Sequence, residues 1–323
     1  MTSNDQPMAS ENIQLLLVRR ATWEADGVMS LELVDRGGGD LPVWEPGAHL
    51  DLVLPSGTVR QYSLCGDPAD RGRYRIAVLR EPAGRGGSAE IHDTALVGRT
   101  VEVRGPRNHF RLEPAPVYLF IAGGVGITPL LPMVAAAERN GATYQVVYGG
   151  RSAASMAFRD ELPRGENVRL MAEDTDGRPD LETLVKESPE DAVVYACGPN
   201  GMLDALAQVC ERAGRDLRLE RFGAQAGVVA EAATGDTFQV ELRRSGTVIR
   251  VGSNERMLDR IKEVCPDLRT SCEEGFCGTC ETAVLEGVPE HNDTILNERE
   301  RMAGKTMMVC VGRSKSPRLV LDL

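Results

Sequence analysis

The first third of the chain consists of short runs in which apolar residues are continuous or alternate with polar ones. Turns rich in glycine, proline and aspartate separate these runs, and a short helix is indicated only near 88–93. Strands at such spacing predict a small antiparallel β-barrel, which we place at residues 1–113. The runs lie at 13–18, 29–33, 50–54, 74–79 and 101–103.

From residue 114 the pattern changes to apolar strands that alternate with helical stretches. An apolar run at 117–122 is followed by a glycine-rich turn and a helical run at 130–139. Strand and helix alternation predicts a parallel α/β sheet, and we assign it to residues 114–224. The later strands are expected at 144–148, 168–171 and 193–197, with a helix at 202–213.

The last third begins with small residues that show no period, which predicts a linker at 225–236. Beyond it, runs at 238–242 and 248–251 flank Ser245-Gly246, the signal of a β-hairpin. An amphipathic helix follows at 257–264. A hairpin, a helix and a cysteine-rich loop predict a small α+β domain at residues 237–323.

Composition and charge narrow the class of protein. The chain has 323 residues, 42% of them hydrophobic, and a formal net charge of −11, so we expect no nucleic-acid partner. The polar N-terminus is unlike a signal peptide, and no apolar run approaches the roughly 20 residues of a membrane span. We therefore expect no membrane association and a cytoplasmic location, where thiols stay reduced.

Four cysteines near the C-terminus form the most specific pattern. Cys272, Cys277, Cys280 and Cys310 read C-x4-C-x2-C, then a long gap, then C, which is the plant-type 2Fe–2S ferredoxin spacing. A zinc site would favour a second C-x2-C pair, and a disulfide is unexpected in the cytosol. The α+β domain is therefore predicted to be a β-grasp ferredoxin. The remaining cysteines are expected to be small buried hydrophobes: Cys65, Cys197, Cys210 and Cys265.

Two motifs in the barrel could hold a flat, anionic cofactor. In the R-x-Y-S motif, the Tyr62 ring can cover one face of such a cofactor, Arg60 can pair with a phosphate, and Ser63 can bond a ring edge. About 25 residues later, Gly84-Arg85-Gly86-Gly87-Ser88 opens a short helix whose free N–H groups can bind phosphate. Each motif is weak alone; together they are more specific.

Two further motifs predict a dinucleotide groove at one edge of the parallel sheet. The segment Gly123-Gly124-Val125-Gly126-Ile127-Thr128-Pro129 follows a strand and opens a helix, as a dinucleotide-binding loop does, although it is not G-x-G-x-x-G. Cys197-Gly198-Pro199 ends a later strand. Both therefore lie at the carboxyl edge, where open α/β sheets bind ligands.

These motifs, in this order, resemble the phthalate dioxygenase reductase family, which includes the vanillate O-demethylase reductases. The resemblance covers the chain from about residue 13 to 323. It implies FMN in the barrel, with FAD as the less favoured alternative, NADH as electron donor and a plant-type 2Fe–2S cluster. Arg151, after the run at 144–148, could pair with a 2′-phosphate, which leaves NADPH open.

The resemblance also implies a role for each motif residue. Ser63, Thr128 and Cys197 would set the geometry of hydride transfer, which needs no acid or base. Phe222 would lie near the flavin, and Cys272, Cys277, Cys280 and Cys310 would hold the cluster. The residues implied in flavin or nucleotide binding are Arg60, Tyr62, Ser63, Gly86, Gly87, Ser88, Gly123, Gly124, Gly126, Thr128, Pro129, Cys197, Gly198, Pro199 and Phe222.

The function implied is the reductase component of an oxygenase system, a monomer that passes single electrons to a Rieske-type dioxygenase or O-demethylase. A cytochrome P450 is the alternative partner, and a non-catalytic electron carrier or redox sensor is the alternative of another class. The loop residues Glu273, Glu274 and Phe276 would face the partner. The histidines show no metal-ligand spacing, so no Rieske centre is expected in this chain: His49, His92, His109 and His291.

Overall fold

The computed structural model describes residues 12–82, 84, 86–223, 233–296 and 298–323. Contacts between residues divide the chain into two units, the first ending at Glu220 and the second beginning at Arg221. Most of the predicted linker, 225–236, lies outside the described residues. Within the described residues, no helix is long and apolar enough to cross a membrane.

The first unit opens with a six-stranded antiparallel sheet in the order β4-β3-β6-β1-β2-β5. A bridge between Leu64 and Ile76 joins the end of β4 to β5, so the two edges of the sheet meet and a barrel results. Its interior is apolar, and a short helix, α1, packs beside it. The elements are β1 (Ile13–Ala25), β2 (Val28–Asp35), β3 (His49–Val53), β4 (Val59–Ser63), β5 (Tyr74–Leu79), α1 (Gly87–Asp93) and β6 (Thr100–Arg107).

Strand β1 is longer than the sequence pattern predicts, because the apolar run stops at residue 18 and two arginines follow. The strand continues past them with a register shift between Val18 and Arg20. The Arg19 and Arg20 side chains lie 3.1 and 3.7 Å from the largely buried carboxylate of Glu32 on β2. Charge pairing thus keeps polar residues in a strand that apolar periodicity alone would end.

A five-stranded parallel sheet follows in the order β11-β10-β7-β8-β9, with apolar clusters on both faces. One cluster also includes the barrel residues Ala25 and Cys65, so barrel and sheet share a core. The predicted boundary at residue 113 stays a prediction. The elements are β7 (Val117–Gly123), α2 (Ile127–Arg139), β8 (Thr143–Gly150), β9 (Val168–Ala172), α3 (Glu173–Asp176), α4 (Leu181–Glu187), β10 (Val193–Cys197), α5 (Asn200–Ala213) and β11 (Leu217–Glu220).

The second unit contains a mixed five-stranded sheet in the order β13-β12-β18-β14-β16 and a two-stranded sheet of β15 and β17. The apolar side of helix α6 packs into a core that also contains Cys280 and Cys310. The elements are β12 (Phe238–Leu242), β13 (Thr247–Val251), α6 (Met257–Val264), β14 (Glu281–Glu286), β15 (Pro289–Glu290), α7 (Glu298–Ala303), β16 (Thr306–Met308), β17 (Arg313–Ser314) and β18 (Arg318–Leu321).

Candidate functional site

Strand β4 brings the R-x-Y-S motif to helix α1. Ser63 is buried, whereas Arg60 and Tyr62 are half-buried. A Cβ atom on Gly87 would lie 2.6 Å from Arg60 Nε, and Gly86 has φ 83°. Two motifs that are 25 residues apart in sequence therefore form one cradle, in which a guanidinium lies against glycine backbone. This cradle and the Tyr62 ring beside it fit the phosphate end and the ring of a flavin.

Ser88 supports this cradle from the side. Its hydroxyl oxygen accepts a hydrogen bond of 3.0 Å from the backbone N–H of Glu81, which ties the start of α1 to the end of β5. Arg85, the remaining side chain of this motif, lies outside the described residues. The assignment of Gly86, Gly87 and Ser88 to phosphate binding stays a prediction that this geometry fits.

The two predicted nucleotide motifs meet at the carboxyl edge of the parallel sheet. A Cβ on Gly126 would lie 2.3 Å from the carbonyl oxygen of Cys197, and a Cβ on Gly123 would lie 2.6 Å from Pro199 Cδ. Since β7 and β10 are neighbours in the sheet, only glycine allows their following loops to come this close. The loops of the two motifs thus pack against each other, with Gly198 between them.

Thr128 lies in the first turn of α2, directly after the glycine loop, and its role in hydride transfer stays a prediction. Its side chain is buried, and its hydroxyl donates a 2.9 Å hydrogen bond to the carbonyl oxygen of Val125. This bond closes the first turn of α2, and Pro129 is buried in the same turn. In this structure Thr128 therefore stabilises the glycine loop.

The pattern reasoning missed Glu220, which joins two of the predicted residues. Glu220 ends β11 directly beside Cys197 of β10, and its Oε2 accepts a 3.1 Å hydrogen bond from the Ser63 hydroxyl of the barrel. No motif marks this position. The available signal was an acidic residue at the end of an alternating strand next to the C-G-P turn.

The electrostatics of this meeting point are unusual. Glu220 keeps partial solvent contact, yet burial raises its pKa to about 8, against a smaller opposing effect of the Ser63 hydrogen bond. Burial, with the nearby Glu220 charge, also raises the pKa of the Cys197 thiol. At neutral pH both groups are therefore mainly uncharged. A hydroxyl, a carboxylic acid and a thiol from three strands line one site.

The region after β8 contains charges of both signs. Arg151 is exposed, and its carbonyl oxygen accepts a 3.2 Å hydrogen bond from the backbone N–H of Asp174. Helix α3 consists of Glu173, Asp174, Thr175 and Asp176, and follows the neighbouring strand β9. One arginine and three carboxylates thus lie at the same edge of the sheet, next to the predicted nucleotide groove.

In the second unit, the loop with three cysteines curls by means of left-handed backbone conformations. Glu273, Gly275 and Gly278 have φ values of 58°, 77° and 76°. A Cβ on Gly275 would lie 2.6 Å from Val311 Cγ2, so glycine is needed there for close packing as well as for φ. The loop thereby approaches the turn that follows β16 and contains Cys310.

The four predicted ligand sulfurs converge. Cys272 is within hydrogen-bonding reach of Cys277 and Cys310, and Cys310 is also within reach of Cys280. Each of the four cysteines is at most 4% exposed. The hydrogen bond with Cys272, followed by burial, raises the pKa of Cys277 above the usual range. Four thiols gathered in a dry site suit a cationic group that replaces their protons.

This arrangement fits a binuclear cluster. Four cysteine thiolates are the ligand set of a plant-type 2Fe–2S cluster, and four cysteine sulfurs converge here. Two polar groups also contact ligand sulfurs: the Glu274 N–H donates to Cys272 Sγ at 3.3 Å, and the Thr279 hydroxyl oxygen accepts from the Cys277 thiol at 3.3 Å. Such contacts tune an iron–sulfur cluster.

Phe222, the histidines and the other cysteines complete the residues that the sequence singled out. Phe222 belongs to the second unit and is 42% exposed, and its position near a flavin stays a prediction. The ring of buried His49 stacks on His109 at 5.8 Å. Cys65 and Cys210 are buried as expected, whereas Cys265 is half-buried.

Comparison with known proteins agrees with the cofactors that these two sites suggest. Residues 240–315 match the family described as "2Fe-2S iron-sulfur cluster binding domain", and residues 120–208 match "Oxidoreductase NAD-binding domain". Phenoxybenzoate dioxygenase subunit beta of Ectopseudomonas oleovorans is 44% identical over 315 residues, which are 95% of this chain and 97% of that protein.

Two solved structures are also similar. Phthalate dioxygenase reductase, described as a modular structure for electron transfer from pyridine nucleotides to a 2Fe–2S cluster, is 36% identical with a TM-score of 0.68, and the match covers 97% of this chain and 98% of that one. An intact type IV self-sufficient cytochrome P450 monooxygenase is 39% identical with a TM-score of 0.90, and the match covers 96% of this chain but only 41% of that one.

These comparisons confirm the predicted fold classes: an antiparallel barrel, a parallel nucleotide-binding sheet and a ferredoxin domain. They also confirm that the chain is an oxidoreductase, and the predicted cofactors, NADH, FMN and a 2Fe–2S cluster, fit its relatives. The chain belongs to the phthalate dioxygenase reductase family.

Proposed function

We propose that this chain is the NADH-dependent reductase component of an oxygenase system and passes single electrons to a separate Rieske-type oxygenase. The observation that carries the proposal is the presence, in one chain, of the Ser63–Glu220–Cys197 meeting point and the four convergent cysteines. The first suits a two-electron exchange between flat rings, and the second suits one-electron transfer. A reductase needs both.

The residues around the flavin and the nucleotide would act by orientation. Arg60 and the glycine backbone at Gly87 would hold the flavin phosphate, and the Tyr62 ring would cover the flavin. The loops containing Gly126 and Gly198 would hold the nicotinamide end of the dinucleotide. When bound, the flavin accepts hydride from NADH and releases its electrons singly to the cluster.

Ser63 and Glu220 would hold a proton at this site. The Ser63 hydroxyl donates to Glu220 Oε2 at 3.1 Å, and the raised pKa keeps the Glu220 carboxyl protonated at neutral pH. The pair therefore presents one hydrogen-bond donor, the carboxyl proton of Glu220, without a net charge, which suits a site where hydride moves between two rings. Buried Cys197 limits water on the side of the parallel sheet.

We favour NADH over NADPH because three carboxylates, Glu173, Asp174 and Asp176, lie near the exposed Arg151. Carboxylates at a sheet edge suit a ribose 2′-hydroxyl and repel a 2′-phosphate. The ratio of kcat/KM for the two nucleotides tests this assignment. A higher value for NADPH would overturn it.

A Rieske-type oxygenase is the preferred partner, because relatives that match over nearly their whole length carry dioxygenase or monooxygenase names. The cytochrome P450 fusion is the observation that favours the second candidate. Because cluster-binding thiols must stay reduced, we place the chain in the cytoplasm. A monomeric form and the absence of a nucleic-acid partner remain predictions.

Reconstitution tests the partner directly. The purified chain, NADH and either a Rieske oxygenase or a free P450 haem domain would be mixed, and product formed per NADH consumed would be measured. We expect coupled turnover with a Rieske oxygenase. Coupling with the P450 domain alone would favour the second candidate, and heat-released flavin identified by chromatography would decide FMN against FAD.

A further inference from the structure

Arg256 bridges the two separate segments that supply the cluster ligands. It immediately precedes helix α6, and its side chain is 19% exposed. One terminal nitrogen, Nη2, donates to the carbonyl oxygen of Glu273 at 3.0 Å and to that of Cys310 at 3.3 Å. Glu273 lies within the loop with three ligands, whereas Cys310 is the fourth ligand. A single guanidinium therefore contacts both segments.

The loop end of this bridge is strained and held on several sides. Glu273 adopts φ 58°, which is uncommon for a residue with a side chain. Its carboxylate is bonded by Lys262 and accepts a 2.8 Å hydrogen bond from Thr270. Arg256 holds the carbonyl of the same residue. Strained backbone of this kind persists only where surrounding contacts determine it.

The charge of Arg256 is poorly compensated within its own helix. Asp259 lies 3.9 Å from Nη1 and is 59% exposed, so water weakens that pair. Nε is buried and makes no hydrogen bond within the described residues. The closest partners are the two backbone carbonyls beside the ligand sulfurs. The Glu273 carboxylate also interacts electrostatically with this guanidinium, but it is bonded by Lys262 and Thr270 as well. A largely buried positive charge is thus fixed at the edge of the cluster site.

We propose that Arg256 raises the reduction potential of the cluster, in addition to joining the two ligand segments. Reduction adds one electron, supplied by the flavin, to a cluster held by four thiolates, and a fixed cation stabilises the more negative reduced form. Arginine does not lose its proton in proteins, so the effect persists at all working pH values. The inference rests on the proposed electron-transfer function and identifies a residue that tunes it.

Arg260, one turn further along α6, is the matched control. It carries the same charge and is 35% exposed, but it pairs with Glu263 at 2.7 Å and with Glu255 at 3.9 Å. Arg256→Gln removes the charge and keeps a hydrogen-bond donor, and Arg256→Lys keeps the charge but has a single nitrogen. Arg260→Gln removes a charge that is paired with carboxylates.

The test is an anaerobic redox titration of the holoprotein, with the cluster followed by electron paramagnetic resonance and iron content measured for each variant. We expect a midpoint potential that is more negative than wild type in Arg256→Gln, a smaller shift in Arg256→Lys, and no shift in Arg260→Gln. Iron content should fall only in the Arg256 variants.

An unchanged potential in the loaded fraction of both Arg256 variants would overturn the inference, since a merely structural bridge would alter loading alone. An equal shift in Arg260→Gln would overturn it too, because any charge on α6 would then suffice. If Arg256→Gln does not assemble a cluster, the midpoint potential of Arg256→Lys is compared with that of wild type, and an unchanged value would overturn the inference. Wild-type protein without a cluster signal would instead contradict the proposed function.

Discussion

The flavin–nucleotide site and the cluster site are built in opposite ways. In the first unit, Ser63, Cys197 and Glu220 come from three strands and meet because two regular sheets align them. In the second unit, three of the four ligands come from a nine-residue segment with left-handed backbone at Glu273 and Gly275. Regular sheets suit large flat cofactors, whereas a compact cluster needs a short loop that curls.

This difference predicts different responses to substitution. Loss of one cysteine should abolish the cluster site and leave the flavin–nucleotide site unchanged. Substitutions in the flavin–nucleotide site should each reduce its function only in part, because several strands together position its residues. The four variants below are ordered by the size of the effect that we expect.

Cys310→Ala should have the largest effect, because it removes the only ligand outside the loop. We expect iron content to fall below roughly a tenth of wild type, while reduction of the flavin by NADH proceeds at the normal rate. Iron analysis measures the iron content, and stopped-flow absorbance measures the rate of flavin reduction. Cys265→Ala is the control, since this half-buried cysteine lies outside the ligand set. Slow flavin reduction in Cys310→Ala would break the separation between the sites.

Gly126→Ala should weaken nucleotide binding strongly. The new Cβ would lie 2.3 Å from the Cys197 carbonyl oxygen and 2.7 Å from the Gly198 nitrogen, so the two loops must separate. We expect the Kd for NAD⁺ to rise at least roughly tenfold, about 1.4 kcal/mol. Gly201→Ala is the matched control, because nothing lies within 4 Å of its Cβ position. Equal binding in both variants would contradict the close contact.

Arg75→Met should disturb the alignment of barrel and nucleotide sheet. Arg75 donates to both carboxylate oxygens of Glu161 at 2.8 and 2.6 Å and lies 5.0 Å from the ring of Phe158, which has φ 60°. We expect the free energy of unfolding to fall by about 2 kcal/mol, which lowers Tm by roughly 4–8 °C. We also expect slower reduction of the flavin by NADH.

Calorimetry and stopped-flow absorbance measure these two effects of Arg75→Met. Arg80→Met is the control, because the Arg80–Asp93 pair lies on the surface. If Arg75→Met lowers Tm without slowing flavin reduction, the contact is structural alone.

Glu220→Gln should have the smallest effect of the four variants on stability at neutral pH, and a clear effect on stability at high pH. Burial raises the pKa of Glu220 to about 8 from the model-compound value 4.5, so the folded state binds a proton that the unfolded state has released. Stability should therefore fall as pH rises between these values, by at most about 1.4 kcal/mol per pH unit. Glutamine cannot ionise and should flatten this dependence.

The pH dependence can be followed by the Tm of the two proteins between pH 5 and 9. Glu220→Gln should gain on wild type as pH rises and keep that gain above about pH 8, the pKa of the carboxyl. Parallel curves would show that Glu220 is already ionised at neutral pH. Ser63→Ala, which removes the hydrogen bond that lowers this pKa, should extend the fall in stability to higher pH.

The sequence predicts the cluster site better than the flavin–nucleotide site, because three cluster ligands are close in sequence whereas the residues of the other site come from distant strands. A short loop leaves its spacing and its glycines visible in order, so Cys272, Gly275 and Gly278 could be interpreted directly. Glu220 lies 157 residues from Ser63, and only the folded sheets bring the two together. Pattern alone also cannot show that the Thr128 hydroxyl turns back to its own loop.

Helix and strand boundaries could be predicted where the apolar pattern marks them, but not where a contact between distant residues extends the element. Four elements with a clear apolar run or apolar periodicity have the predicted bounds: Tyr74–Leu79, Val193–Cys197, Phe238–Leu242 and Met257–Val264. The sequence pattern ended β1 too early, because its second half depends on the pairing of Arg19 with Glu32. Charge pairs between distant residues leave no periodic signal, whereas burial does.

The central claim is that electrons enter at the flavin–nucleotide site and leave through the cluster. Its most direct test is an anaerobic titration of the purified holoprotein with NADH, followed by visible absorbance and electron paramagnetic resonance. We expect the flavin bands to bleach and a reduced-cluster signal to appear in the same molecule, and Cys310→Ala to show the bleaching alone. Flavin bleaching with a cluster that stays oxidised in wild type would contradict the account.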